Sequence, residues 1–406
     1  MKLCLVSTSP HDVDGEGVSG DRHGLLMVAK LYAARLRTTV LLCPWYRVVV
    51  DGKRMGDGIA VAGRMLGVDG DAAAVVDPRQ ATTVDALLLY PVSVAREARA
   101  TAHERAGLDR LASLGLLQGG RTRYGVVRSL LMEAARRGAI TNATGSDGLW
   151  GMKDALAATL DAYETATGAV VPRPRTWSVP GDDLPRTVAE LARGGLDLIV
   201  KPANGARGGG VTVLLARETR RDGWPLPSPT GMWVVQELLP RPLLVGGHKA
   251  DLRCFALIDT AGRRLSYRPE LALVRPAPAP YTRGRLEAEL TNTAYRRRIG
   301  LPAANCPLSV LDSVSAALRA TLARRLDELV GLFLDAYFWR ARPGPRRVML
   351  WGLDVFASVA GDDARLYLLE ANVHPSLLPN RPLCEPYIGA MLRDEYLPAV
   401  ERAVGG

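Results

Sequence analysis

Lys201 closes an apolar run, Leu198-Ile199-Val200, and Pro202 behind it holds it extended, so its ammonium projects from a strand end. Ala203-Asn204-Gly205-Ala206-Arg207-Gly208-Gly209-Gly210 follows, and then a second apolar run, VTVLL. A glycine loop between two strands can fold over phosphates, because backbone N–H groups approach closely where no Cβ intervenes. It is not a Walker loop: no Gly-Lys-Ser/Thr follows and no helix begins there. A flexible hairpin turn is the plainer alternative.

Further on, Lys249, Asp251 and Arg253 stand at i, i+2 and i+4. On a strand they share one face, while Ala250, Leu252 and Cys254 turn into a core. A cation, an anion and a cation in line suit a nucleotide, meeting base edge, ribose hydroxyls and terminal phosphate in turn. A solvated face is the alternative. Near the end, Asp354 lies in one apolar run, and Glu370 and Asn372 lie on one face of another. Unpaired carboxylates at the ends of apolar strands are costly to bury, so a partner is expected. Magnesium held by oxygen ligands and phosphates is the natural one, and arginine the other.

A fourth pattern is a decoy. Gly15-Glu16-Gly17-Val18-Ser19-Gly20 matches GxGxxG, but the first glycine comes eight positions after the strand and the second strand ends in Cys43-Pro44-Trp45. A dinucleotide fingerprint needs glycine at the strand end and an acid closing the second strand.

The elements that would position these groups follow from periodicity. Residues 1–7 and Thr39–Cys43 flank an amphipathic stretch, Leu25–Leu36, in βαβ order, and Ala86–Tyr90 reads as another strand. This alternation predicts a small α/β domain over residues 1 to about 140, with Arg47–Gly70 as hairpin or loop. A helix-prone stretch, Arg121–Arg137, leads to the turn-rich TNATGSDG. Helices are expected over Lys153–Thr167, stopped by Gly168, and Leu184–Arg193, with VPRPRTWSVP extended between them. Strands are expected at Leu196–Lys201, Val211–Leu215, Trp233–Leu238, Leu252–Asp259, Leu265–Tyr267, Val348–Phe356 and Leu366–Glu370, with one or two helices over Leu311–Phe338. Helix pairs alternating with antiparallel strands point to layered α/β or α+β architecture.

Composition removes several classes of function. Of 406 residues, 48% are hydrophobic and 23% charged, which excludes disordered, collagenous and coiled-coil chains. No apolar run approaches the ~18–20 residues a bilayer requires, and MKLCLVSTSP is too short for a signal-peptide core. Cys4, Cys43, Cys254, Cys306 and Cys384 are scattered without a CxxC pair, as expected of reduced thiols in a cytoplasm rather than a disulfide or zinc framework. The net charge of +10 favours anionic partners. Its basic residues are interleaved with acids and aromatics are 6%, which argues against nucleic acid.

Taken in order, these motifs resemble the ATP-grasp superfamily and, within it, the tubulin tyrosine ligase-like family. The resemblance rests on Lys201-Pro202, Val234-Val235-Gln236, Pro242-Leu243-Leu244, Lys249-Ala250-Asp251-Leu252-Arg253 and Leu290-Thr291-Asn292. It continues through Gly352-Leu353-Asp354 and Leu368-Leu369-Glu370-Ala371-Asn372-Val373-His374-Pro375-Ser376-Leu377. Val274-Arg275 ahead of Pro280-Tyr281 and Lys153 in Lys153-Asp154-Ala155-Leu156-Ala157 are similar to further family motifs, and together they cover roughly residues 141–380. Three positions depart: Glu289 replaces the family's histidine before Leu-Thr-Asn, Ala250 its phenylalanine between Lys and Asp, and Val373-His374 changes its "NASPSL". The first two are expected to flank the nucleotide and acceptor regions.

The resemblance implies an ATP-grasp fold with a Rossmann-like N-terminal domain (1–140), a central subdomain carrying the glycine loop (141–239) and a C-terminal subdomain (240–406). It implies a carboxylate–amine ligase using ATP and two Mg²⁺ ions, with a small-molecule or peptide carboxylate and an amino acid as substrates. An acidic protein tail as acceptor is the near alternative, and an NAD-dependent oxidoreductase a distant one. By the same resemblance Lys153 and Lys201 hold the α- and β-phosphates beneath Gly208 and Gly209. Gln236, Glu237 and Leu238 border adenine, and Lys249 and Asp251 take base and ribose. Arg253 and Arg275 act on the transferring phosphoryl group, Asn292 lies in the phosphate region, and Asp354, Glu370 and Asn372 ligate Mg²⁺.

Overall fold

The computed structural model describes residues 150–203, 208–218, 231–302 (save 262 and 267), 304–341, 346–373, 375 and 385–405. N-terminal to these it describes 2–7, 29–35, 37, 39–44, 48–49, 59–61, 65–69, 72–76, 82–89, 123–137 and 139–142.

Those N-terminal residues build a six-stranded sheet in the order Ala72–Val76, Met65–Asp69, Val40–Pro44, Leu3–Ser7, Ala86–Leu89, Ile140–Thr141. Leu3–Ser7 runs parallel to both neighbours, and residues 29–35 are helical, giving the βαβ order expected. The Arg47–Gly70 stretch is more regular than its composition suggested. Met65–Asp69 joins this sheet antiparallel, and Val48–Val49 and Ile59–Val61 form a small sheet with Thr82–Val84.

A second, antiparallel sheet of four strands has the order Thr176–Pro180, Met232–Glu237, Leu198–Pro202, Thr212–Leu214. The extended piece around Trp177 is thus a paired strand, a partnership 60 residues long in sequence that no local pattern announces. Leu184 and Val188 of the Leu184–Arg193 helix bury against Val179, Leu198, Val200 and Val235. Helix Lys153–Thr167 ends where the sequence predicts, because Gly168 takes the left-handed conformation (φ +74°) and donates its N–H to Glu164 O.

The largest sheet has seven strands. Its spine is Cys306–Pro307, Leu273–Pro276, His248–Asp259, Val348–Ala360, Asp363–Val373, and Leu243–Val245 and Arg263–Ser266 add to His248–Asp259. Alternation along that strand sends Leu252, Cys254, Ala256 and Ile258 into a core with Leu322, Leu326, Phe333 and Tyr337. These last four lie on one 25-residue helix, Ala316–Arg340, whose N-cap Ser315 accepts from Leu318 N. Leu311 and Val314 therefore precede the helix and pack as loop residues. From the same strand Phe255 and Leu257 point the other way, meeting Leu5 and Leu88 of the N-terminal sheet and Leu397 and Val400 of the C-terminal helix. Among the described residues no helix is long and apolar enough to cross a membrane.

Candidate active site

Between the four-stranded and seven-stranded sheets lies a cleft of about 520 Å³, and all fifteen residues singled out from the sequence line it. One wall is the four-stranded sheet. Lys201 stands next to last in its strand there, and Gly208 and Gly210 adopt φ +71° and +70°, which side chains resist. A Cβ on Gly210 would in addition lie 2.9 Å from Pro202 Cγ. Glycine is thus required twice over at that position. Gln236 donates to Thr176 Oγ1 at 2.9 Å, and Glu237 turns away to accept from Arg175 Nε at 2.9 Å. Burial opposes the Lys201 ammonium and pushes its pKa down to about 8, Glu370 and Asp354 offsetting this in part and Lys153 adding to it. Lys153 opens its helix 3.7 Å from Glu370.

The other wall is a closed network on the large sheet. Strand pairing sets Asp251 beside Arg275 and Arg253 beside Asp354. Arg275 donates to both Asp251 oxygens (2.7 and 2.6 Å) and lies 3.0 Å from Asp354. Arg253 grips the Asp354 carboxylate through two nitrogens, Nη2 donating at 2.9 Å. Thr291 Oγ1 donates to Asp251 as well. Burial would push the Asp354 carboxyl up, but Arg253 and Arg275 outweigh it and hold it far below the usual carboxylate range. Burial likewise opposes the Arg275 charge, yet Asp251 and Asp354 keep its pKa above the ordinary arginine value.

Asp354 pairs directly with Glu370, and a register shift follows at Asp354/Val355. Asn372 Nδ2 lies 3.3 Å from Glu370 Oε1 and 3.4 Å from Asp354 Oδ2, so three oxygen-bearing side chains meet at one point. Hard oxygen donors without sulfur or imidazole are the kind Mg²⁺ accepts when substrate phosphates complete its shell. Among the described residues no group of three or more His, Cys, Asp or Glu side chains could hold a metal ion. Of the two partners weighed for Asp354, arginine is the one observed, since its carboxylate engages Arg253 and Arg275.

Three further residues, Glu289, Thr291 and Phe356, line the cleft, and Arg283 braces one end of it. Glu289 accepts from Lys249 Nζ at 2.6 Å and from Gly284 N at 3.1 Å, while the Phe356 ring lies 5.3 Å from the same ammonium. Thr291 adjoins Asn292 in sequence, Glu289 lies three residues before it, and Phe356 shares a strand face with Asp354, so proximity was a usable signal for these three. Arg283 offered none. It joins Asp197 at 2.8 Å to the carbonyls of Leu238 (2.9 Å) and Leu239 (3.2 Å), tying the two sheets together at one end of the cleft. Ala250 faces the core, fully buried with Leu252 and Cys254 as strand alternation predicts, which corrects the expectation, drawn from its departure from the family pattern, that it flanks the nucleotide or acceptor region. Of the two departures expected at the cleft, only Glu289 borders it. The Gly15–Gly20 loop lies outside the described residues.

A family model described as the Tubulin-tyrosine ligase family matches residues 145–303. Solved structures similar over nearly the whole chain include the C-terminal domain of K. lactis Pby1, an ATP-grasp enzyme (TM-score 0.53, 12% identity, 98% of this chain and 94% of that one). D-alanyl-alanine synthetase A from Vibrio cholerae is another (TM-score 0.52, 13% identity, 100% and 99%). The chain has the ATP-grasp fold, and its residues 145–303 are similar to the tubulin-tyrosine ligase family. The ATP-grasp ligase PsnB, complexed with minimal precursor, is similar at a TM-score of 0.50 and 16% identity, covering 99% of both chains. Among curated proteins, human tubulin polyglutamylase TTLL7 is 39% identical over 91 residues, 21% of this chain and 10% of that protein, and its mouse counterpart 38%. The aligned stretch thus spans about a tenth of those relatives' length. Twelve of the fifteen sequence-based residues fall inside the family match; Asp354, Glu370 and Asn372 fall beyond it, and folding brings them to the same cleft in this ATP-grasp chain.

Proposed function

We propose that the protein is an ATP-dependent carboxylate–amine ligase that makes an amide through an acyl phosphate, releasing ADP and phosphate. The observation that carries this is the convergence of Lys153, Lys201, Arg253 and Arg275 with Asp354, Glu370 and Asn372 in one cleft. A carboxylate resists attack, because its charge repels a nucleophile and its leaving group would be oxide. Moving the γ-phosphoryl group of ATP onto it creates a phosphate leaving group, which an amine then displaces through a tetrahedral intermediate. The protein's part is positioning and charge neutralisation.

In this reading Lys153 and Lys201 hold the α- and β-phosphates, with Gly208 and Gly209 above them. Ile199, Leu238 and Phe356 flank the base, beside Gln236, Glu237 and Lys249. Asp251, oriented by Arg275 and Thr291, accepts the ribose hydroxyls. Arg253 and Arg275 face the transferring phosphoryl group, and Asn292 borders the same region. Asp354, Glu370 and Asn372 would hold magnesium, which supplies charge neutralisation on the phosphate oxygens when bound.

The carboxylate and amine are read as a small peptide or metabolite and an amino acid. A second reading has an acidic protein tail as acceptor, favoured by the +10 charge and by the curated relatives being tubulin polyglutamylases. A panel of amino acids and acceptors with ATP and Mg²⁺ separates the two by which pairs release ADP and phosphate. AMP and pyrophosphate as products would reject the acyl-phosphate route for both.

A further inference from the structure

Gly352 lies on the cleft face of the Val348–Ala360 strand, two residues before Asp354 and opposite Asn372. Its backbone is ordinary strand, unlike the left-handed Gly208 and Gly210. Glycine inside a strand weakens it by about 0.5–1 kcal/mol relative to alanine, so a conformational need does not explain the residue. Space does. A Cβ at this position would lie 3.1 Å from both Cδ and Nη1 of Arg253, and 2.7 Å from Pro375 Cβ. The Arg253 side chain therefore lies flat across the strand at Gly352, in a slot that Pro375 also borders. From that slot its guanidinium reaches the Asp354 carboxylate with two nitrogens.

We propose that Gly352 is a positioning residue: its missing side chain is the slot that aims the Arg253 guanidinium along the Asp354 edge and into the phosphate end of the cleft. The inference rests on the ligase reading, in which Arg253 faces the γ-phosphoryl group. Alanine at 352 must displace Arg253 or Pro375, and a guanidinium moved by about 1 Å loses the alignment that directed hydrogen bonds require. The β-phosphate, held by lysines on the opposite wall, does not depend on this slot.

The test is calorimetric titration of the full-length chain, with Mg²⁺ present, using ADP and a non-hydrolysable β,γ-imido analogue of ATP. Wild type, Gly352→Ala, Arg253→Ala and the double variant are compared, and circular dichroism melting verifies that each is folded. Wild type is expected to prefer the triphosphate, and Gly352→Ala to lose about tenfold of that preference with ADP affinity retained, the size of one charge-assisted hydrogen bond. The double variant is expected to match Arg253→Ala alone. Wild-type preference in Gly352→Ala, or a loss that adds fully to that of Arg253→Ala, overturns the proposal. Gly352→Ala with Pro375→Gly removes the tightest contact and leaves the one with Arg253. It should show the same loss, and a return to wild-type preference would assign the slot to Pro375 instead. Failure of the wild type to bind either nucleotide would overturn the ligase reading, and this inference with it, an outcome distinct from binding without a γ-phosphate preference.

Discussion

On the seven-stranded wall of the cleft, Arg275 holds Asp251 and Asp354 within 3.0 Å and Arg253 closes on Asp354, whereas across from them Lys201 meets Glu370 and Asp354 only as longer-range charges. The first arrangement spends its electrostatics internally. Burial is offset by partners, and four side chains are oriented before any ligand arrives. The second leaves a desolvated ammonium whose burial cost an incoming anion would relieve. One wall sets geometry and the other recognises charge. Substitutions on the two walls should therefore differ in sign as well as size.

The largest effect is expected at Asp354. Asparagine there leaves Arg253 uncompensated and Arg275 half-paired, and breaking such a buried network costs about 3–5 kcal/mol. Urea unfolding of Asp354→Asn should show that loss together with loss of turnover; unchanged stability would mean that the arginines find water or other partners.

Arg253→Lys keeps the charge but not the planar fork. Turnover is expected to fall about 10²-fold or more, and ATP affinity much less, because Lys153 and Lys201 still face the α- and β-phosphates. Steady-state kinetics set beside a nucleotide titration decide it, equal losses in both placing Arg253 in ground-state binding.

At Lys201 the sign reverses. Methionine removes a desolvated charge, so Lys201→Met should unfold at higher urea than wild type while binding ATP about ten- to a hundredfold more weakly, as for a lost hydrogen bond to a charged group. A pH effect accompanies it. The folded pKa of about 8 lies below the ordinary 10.5, so between these values the unfolded chain holds more protons and stability rises with pH. An anion restores the charge, and nucleotide binding at pH 8–9 should take up protons. Titration calorimetry in two buffers of different ionisation enthalpy would detect this, and equal heats would remove Lys201 from the phosphate site.

The smallest effect is expected at Arg175, which is mostly exposed and pairs with Glu237 at the rim. Arg175→Gln should shift stability by less than ~1 kcal/mol and leave ATP affinity within experimental scatter. A large loss of affinity would show that Glu237 needs this partner to line the base pocket.

Much of this was written locally in the chain. Lys249, Asp251 and Arg253 share a face because strand alternation has period two, and the same rule sends Ala250 to the core, as the sequence predicts. Gly168 stops its helix, and Lys201 is held extended at the end of its strand by Pro202, through conformational preferences of single residues. The Thr176–Pro180 strand and the strands within Arg47–Gly70 were less legible, since their pairing depends on partners distant in sequence or on a sheet edge.

The amino-acid sequence by itself determined which side chains carry charge, which faces they leave, and that cations, carboxylates and a glycine loop occur in this order. Tertiary structure alone decided that Arg253 reaches Asp354 across 101 residues, that Glu289 holds Lys249, that Arg283 spans the two sheets, and that Gly352 leaves room for an arginine. The reason is physical. Alternation and propensity act over a few residues, whereas an ion pair or a steric slot depends on which strands the folded sheets place side by side.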